Sequence, residues 1–133
     1  MKFHLDHVSI AVSDVEKSAA FYRDVLGLKV LRTTGTPIDG AWMGDGESDD
    51  MLHLNEGPLD GLPPPKSNHL AFRTPAFQVL IERFKTLGVP YFDWPGNRNT
   101  IGKHPLGFQQ VYVNDPDGYW VEINDVSKPN SGW

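Results

Sequence analysis

An internal repeat constrains this chain more than any other feature. Residues 6–30 read DHVSIAVSDVEKSAAFYRDVLGLKV, and residues 68–89 read NHLAFRTPAFQVLIERFKTLGV. Each copy starts with Asp or Asn, then His, then a run suited to a strand, then an amphipathic helix that ends at Leu-Gly. His7 lies 20 positions before Gly27, and His69 lies 19 before Gly88. Agreement in order, spacing and element type marks two copies of one supersecondary unit.

Local signals place the elements. Ser13-Asp14-Val15-Glu16 fits a capping box with Ser13 as N-cap, and Val15, Ala19, Tyr22 and Leu26 then share one helical face. In the second copy Thr74 suits an N-cap and Pro75 the first helical position, ahead of the stripe Phe77, Leu80, Ile81, Phe84, Leu87. Gly27 and Gly88 can take the left-handed conformation that closes each helix. Strand-like pieces follow at about 28–34, 40–44 and 50–55, and again at about 89–93, 108–114 and 118–125, with Asn114-Asp115-Pro116-Asp117-Gly118 as a tight hairpin. Each half therefore reads β-α-β-β-β. The expected fold is α+β: two paired βαβββ modules forming a curved mixed sheet around a central cavity, with the helices outside. One domain spans 1–133, with module one at about 3–56, a proline-rich linker at 57–66, module two at about 67–125 and a frayed tail at 126–133. The polar stretch 95–107 reads as a loop and a candidate lid.

Composition limits the chemistry. With 133 residues, 39% hydrophobic and 22% charged, the chain suits one soluble domain. A net charge of -5 argues against nucleic acid as a partner. There is no cysteine, so any metal must be held by His, Asp or Glu. The N-terminal run is interrupted by His4, Asp6 and His7, unlike a signal peptide, and no stretch reaches the roughly 18 apolar residues of a membrane span. A cytoplasmic location is the expectation.

Strand alternation sorts the side chains. Val8, Ile10 and Val12 share a face, as do Leu52 and Leu54, Leu70 and Phe72, and Val121 and Ile123; these apolar faces should meet the helices. The opposite faces carry His7, His53, His69 and Glu122, one imidazole or carboxylate on the first and last strand of each repeat. Alone, each has a plainer role as a half-buried, hydrogen-bonded side chain or a solvated charge. As matched positions of a repeat, they form a nitrogen and oxygen ligand set for a divalent transition metal such as Zn, Ni, Mn, Fe or Co. His4 reads as surface, and His104 as a solvated loop residue with a lid role as the alternative. Trp42, Phe108, Gln110, Tyr112 and Trp120 are candidates for the cavity wall, and Arg73 for anchoring an anionic group.

The segments DHVSIAV, FYRDVLGLKV, NHLAF and DPDGYWVEI resemble the vicinal oxygen chelate superfamily, which includes glyoxalase I, bleomycin-resistance proteins, fosfomycin-resistance enzymes, methylmalonyl-CoA epimerase and extradiol dioxygenases. The resemblance covers about residues 3–125. It implies paired βαβββ modules around a metal-centred cavity, and a homodimer whose sites take ligands from both chains. It also implies that His7, His69 and Glu122 are metal ligands. His53 falls where glyoxalase I has a glutamate that serves as ligand and proton shuttle, so His53 is either a ligand or a proton shuttle. The arginine that short bacterial glyoxalases carry four residues after the first histidine is Ala11 here, and Arg73 is its counterpart in module two. No positive sign of a glutathione substrate remains. The epimerase signature and a fosfomycin-binding cluster of cations and hydroxyls are also missing. Three functions follow from the resemblance. They are a glyoxalase-like metal-dependent lyase or isomerase with His53 and Glu122 as catalytic groups, an extradiol-type dioxygenase with a His-His-Glu iron site, and a non-catalytic drug-binding resistance protein.

Overall fold

The computed structural model describes residues 1–47, 51–61 and 63–127. The expected frayed tail lies outside these residues from 128 onward, as does residue 50 at the start of one expected strand. The chain divides into two compact units, Met1–Pro63 with Asp115–Asp117, and Pro64–Asn114 with Gly118 onward, so the division falls in the proline-rich linker. Each unit carries a four-stranded mixed sheet and a helix, the α+β architecture expected of the repeat. No helix among the described residues is long and apolar enough to cross a membrane.

In the first unit, β1 (Val8–Val12) leads into α1 (Val15–Asp24), followed by β2 (Lys29–Thr34), β3 (Gly40–Gly44) and β4 (Leu52–Glu56). The sheet order is β1-β4-β3-β2, with β1 and β4 parallel and the other pairs antiparallel. A parallel pair needs a long crossover, and α1 with β2 and β3 supplies it. Leu52 and Leu54 of β4 are fully buried, as are Val15 and Tyr22 of α1, and α1 packs on β2, β3 and β4. The N-cap of α1 is Asp14, whose side chain accepts from Lys17 N, and not Ser13 as the capping-box pattern suggested. Ser13 turns its hydroxyl and its N–H to the Asp117 carboxylate instead. Tyr22 donates to Asp115 at 2.9 Å, so the Asp115–Asp117 turn belongs with this unit.

In the second unit, β5 (Leu70–Arg73) leads into α2 (Phe77–Leu87), then β6 (Gly102–Lys103), β7 (Gln109–Asn114) and β8 (Trp120–Asn124), in the order β5-β8-β7-β6. Phe77, Leu80, Ile81 and Phe84 are buried, and Gly88 closes the helix at φ 67°. Leu87, at the end of the stripe, is 52% exposed. Thr74 does not cap this helix; its hydroxyl accepts from Ala76 N in the turn before it.

The strand expected at 89–93 does not form. Pro90 offers no N–H to a ladder, and the Asp93 carboxylate accepts from Gly96 N, Asn97 N and Asn97 Nδ2, which turns the chain away. Phe92 makes isolated bridges to Arg98 and Tyr112, and the edge strand is β6, inside the stretch expected to be a lid loop.

Candidate functional site

The repeat extends to the register of the strands. His7 and His69 sit immediately before β1 and β5, so they flank those strands and do not lie within them as expected. His53 and Glu122 occupy matching places: His53 lies opposite Ser9 and Trp42, and Glu122 lies opposite Ala71 and Tyr112. Trp42 and Tyr112 are therefore equivalent too, each an aromatic cross-strand partner of a candidate ligand.

The first unit gathers His7, His53 and Trp42. The His53 ring stacks on the Trp42 indole at 3.8 Å and 10°, while His7 meets Trp42 edge-on at 4.6 Å and stands 6.1 Å from the His53 ring. A register shift between Val30 and Arg32 in β2 brings Arg32 opposite Trp42, with its guanidinium 4.5 Å from the indole centroid. His7 Nδ1 lies 2.5 Å from an Asp6 carboxylate oxygen. A carboxylate can only accept, so His7 Nδ1 carries the proton and Nε2 keeps its lone pair. His53 is oriented the other way. Asn55 Nδ2 donates to Ser9 Oγ at 2.6 Å and lies 3.3 Å from His53 Nδ1, which acts as acceptor and leaves the proton on Nε2.

The second unit gathers His69 and Glu122. His69 Nδ1 donates to the Lys66 carbonyl at 2.8 Å, so its Nε2 also presents a lone pair, and that atom stands 3.0 Å from Glu122 Oε2. Glu122 is 8% exposed and already accepts from Tyr112 Oη and from Asn124 Nδ2, each at 2.8 Å. Two acceptors at this distance, one buried and one half-buried, need a positive charge between them, either a proton or a cation. The Nδ1 atoms of His7 and His69 are each tied to an outer acceptor, the Asp6 carboxylate and the Lys66 carbonyl. This is the arrangement that supports metal ligands from behind. Burial, then the Glu122 hydrogen bond and charge, push the Tyr112 hydroxyl pKa well above its ordinary value. Among the described residues no group of three or more His, Asp or Glu lies together in a way that could hold a metal ion.

A cleft of about 540 Å³ opens on the His69–Glu122 pair, lined further by Tyr112, Gln110, Phe108 and His104. Of the residues expected to form the cavity wall, Phe108, Gln110 and Tyr112 line this cleft, and Trp42 flanks the histidines of the first unit. Arg73 ends β5 exposed, opposite Asn124, and is not part of the cleft lining. Trp120 packs edge-on against Phe92 and is likewise not part of it. His4 is exposed, as expected. His104 is half-buried and lines the cleft, with its ring stacked on Phe108 at 4.2 Å and 8°.

Lys66 is a site residue that the pattern of the chain did not reveal. Its ammonium donates to the carbonyls of Asp93 and Trp94 at 2.6 and 3.0 Å and lies over the rings of Tyr112 and Trp120 at 4.5 and 4.8 Å. Burial lowers its pKa, opposed by the Asp93 charge. Lys66 thus ties together the loop bearing Trp94, the tyrosine behind Glu122 and the carbonyl that orients His69.

The family described as Glyoxalase/Bleomycin resistance protein/Dioxygenase superfamily matches residues 4–123. Glyoxylase I 4 of Arabidopsis thaliana is 29% identical over 124 residues, covering 90% of this chain and 68% of its own length. Glutathione transferase FosA of Serratia marcescens is 30% identical over 124 residues, covering 90% and 79%. Among solved structures, Oxidase ChaP-H2 superposes with a TM-score of 0.76 at 26% identity, covering 96% of both chains. A glyoxalase, a transferase and an oxidase thus stand at nearly equal distance, and kinship alone does not choose the reaction.

Proposed function

The chain belongs to the Glyoxalase/Bleomycin resistance protein/Dioxygenase superfamily, and we propose that within it the protein is a glyoxalase-like metal-dependent lyase or isomerase. Its substrate is a small molecule that chelates a divalent metal through two neighbouring oxygens. The observation that carries this reading is the contact between His69 Nε2 and Glu122 Oε2, two acceptors 3.0 Å apart with His69 Nδ1 already donating elsewhere. His7, His69 and Glu122 are the ligands of the proposed site, with His53 at the fourth position. Because each unit offers one pair, the full set is assembled in a homodimer, the first-unit pair of one chain facing the second-unit pair of its partner.

His7, His69 and Glu122 would hold a divalent metal there, which would supply Lewis-acid polarisation of a substrate carbonyl. The remaining work falls to side chains. Of the two roles open to His53, proton carrier fits its surroundings better: Nδ1 is engaged by Asn55, Trp42 fixes the ring plane, and imidazole transfers protons near neutral pH. Glu122 is the second proton-transfer group. Tyr112 and Asn124 keep its carboxylate aimed, and the raised Tyr112 pKa keeps that hydroxyl a donor throughout the working pH range.

The same orientation of His53 favours one other reading. If His53 stays off the metal, His7, His69 and Glu122 form a three-ligand set with open positions, as an extradiol-type dioxygenase requires. Metal content of protein purified without chelator or histidine tag, followed by parallel assays, separates the two. Hemithioacetal turnover with a redox-inert metal supports the isomerase, whereas oxygen uptake with catechols after ferrous reconstitution supports the dioxygenase. Tight metal binding with no proton exchange on any α-hydroxycarbonyl argues against the first reading.

A further inference from the structure

We infer that the cleft of the second unit binds a flat, conjugated anion, an aryl or similar planar body bearing a carboxylate. This rests on the metal-centred reading above and names the substrate class of that site. Three observations carry it. Gln110 is 7% exposed and lines the cleft, yet its carboxamide has no hydrogen-bond partner among the described residues. Its amide atoms open onto the cleft, since the side-chain atom buried without a partner among the described residues is Ser18 Oγ, and they can donate to and accept from a ligand there. Lys103, in β6 directly beside Gln109, also lines the cleft and has no ion-pair partner among the described residues. His104 Nδ1 accepts from Leu106 N at 3.1 Å, which leaves the proton on Nε2 and makes the ring a further donor.

Charge and shape then select the ligand. Glu122 is the one carboxylate in the lining among the described residues, and it already accepts from Tyr112 and Asn124. The Lys103 ammonium, exposed in the lining, is the cation that an anion in the cleft can reach. The walls are planar and rigid: the parallel His104–Phe108 stack, Pro95 and Pro105. A flat ring lies against such a wall with little loss of contact, whereas a puckered one does not. About 540 Å³ is room for a bicyclic molecule.

The test is calorimetric titration of metal-free protein with three probes: 2-naphthoate, its neutral relative 2-naphthamide, and cyclohexanecarboxylate. The inference expects 2-naphthoate to bind at least about 10-fold more tightly than either of the others. It also expects Lys103→Gln, at an exposed site, to weaken 2-naphthoate by about 10-fold while leaving 2-naphthamide unchanged. Equal affinity for the three probes, or 2-naphthoate binding untouched by Lys103→Gln, overturns it. Zinc titration of the same preparation keeps the two ideas apart. Naphthoate selectivity without zinc binding retains the anion site and removes the metal reading, and zinc binding without selectivity does the reverse.

Discussion

Replacing Lys66 with Met tests how the second-unit pair is held. The ammonium makes two charged hydrogen bonds, to the carbonyls of Asp93 and Trp94, each worth roughly 1.5–3 kcal/mol, and rests on aromatic faces worth about 0.5–1 kcal/mol at a partly exposed position. Against this stands the desolvation that lowers its pKa. Methionine keeps most of the packing and removes the donors, leaving the part-buried Asp93 carbonyl without its ammonium donor. A net loss of about 2 kcal/mol follows, which for a chain of this length corresponds to roughly 6–10 °C in Tm. The assay is urea and thermal unfolding of metal-free protein, together with zinc affinity, which should fall about 10-fold or more as the His69 carbonyl anchor loosens. A variant within about 0.5 kcal/mol of wild type, with unchanged zinc affinity, would refute the reasoning.

His53→Ala is expected to keep bound metal while losing about 10²–10⁴-fold in kcat, measured by metal analysis beside turnover; loss of metal would make His53 a ligand instead. Tyr112 should remain protonated where ordinary tyrosines ionise, read as a tyrosinate absorbance step that Tyr112→Phe does not diminish below pH 11. The sign for stability follows from its raised folded pKa: the contribution is complete below the unfolded value of about 10 and is lost as pH rises above it. Zinc binding should change the fluorescence of Trp42 through the adjoining His7 and that of Trp94 through His69, and Trp42→Phe should diminish the change without abolishing it.

Much of this architecture can be read from the chain because it is encoded locally and twice. The matched helices and their closing glycines depend on short-range spacing, and the alternation in MLHLNEG separates Leu52 and Leu54, which are buried, from His53, which is half-exposed. What escaped depends on groups far apart in sequence or on competition between neighbours. Ser13 loses the cap to Asp14 because Asp117 captures its hydroxyl, a contact across 104 residues. Residues 89–93 have strand-like composition, but Pro90 and the Asp93 turn move the edge strand to Gly102–Lys103. His104 was legible as a loop histidine, and its stacking on Phe108 depends on β6 pairing with β7. Lys66 sits in a proline-rich linker whose composition gives no sign of the three aromatic rings around its ammonium.

The central claim is that one metal is held by His7 of one chain and by His69 and Glu122 of the other, and mixing tests it most directly. His7→Ala and His69→Ala should each abolish zinc binding, because each removes one ligand from both sites. Dissociated and reassociated at equal concentration, half of the dimers combine the two variants, and each of these rebuilds one intact site from the undamaged ligands. The account predicts recovery of about a quarter of the wild-type zinc stoichiometry on mixing. No recovery, or full zinc binding by either variant alone, would contradict it.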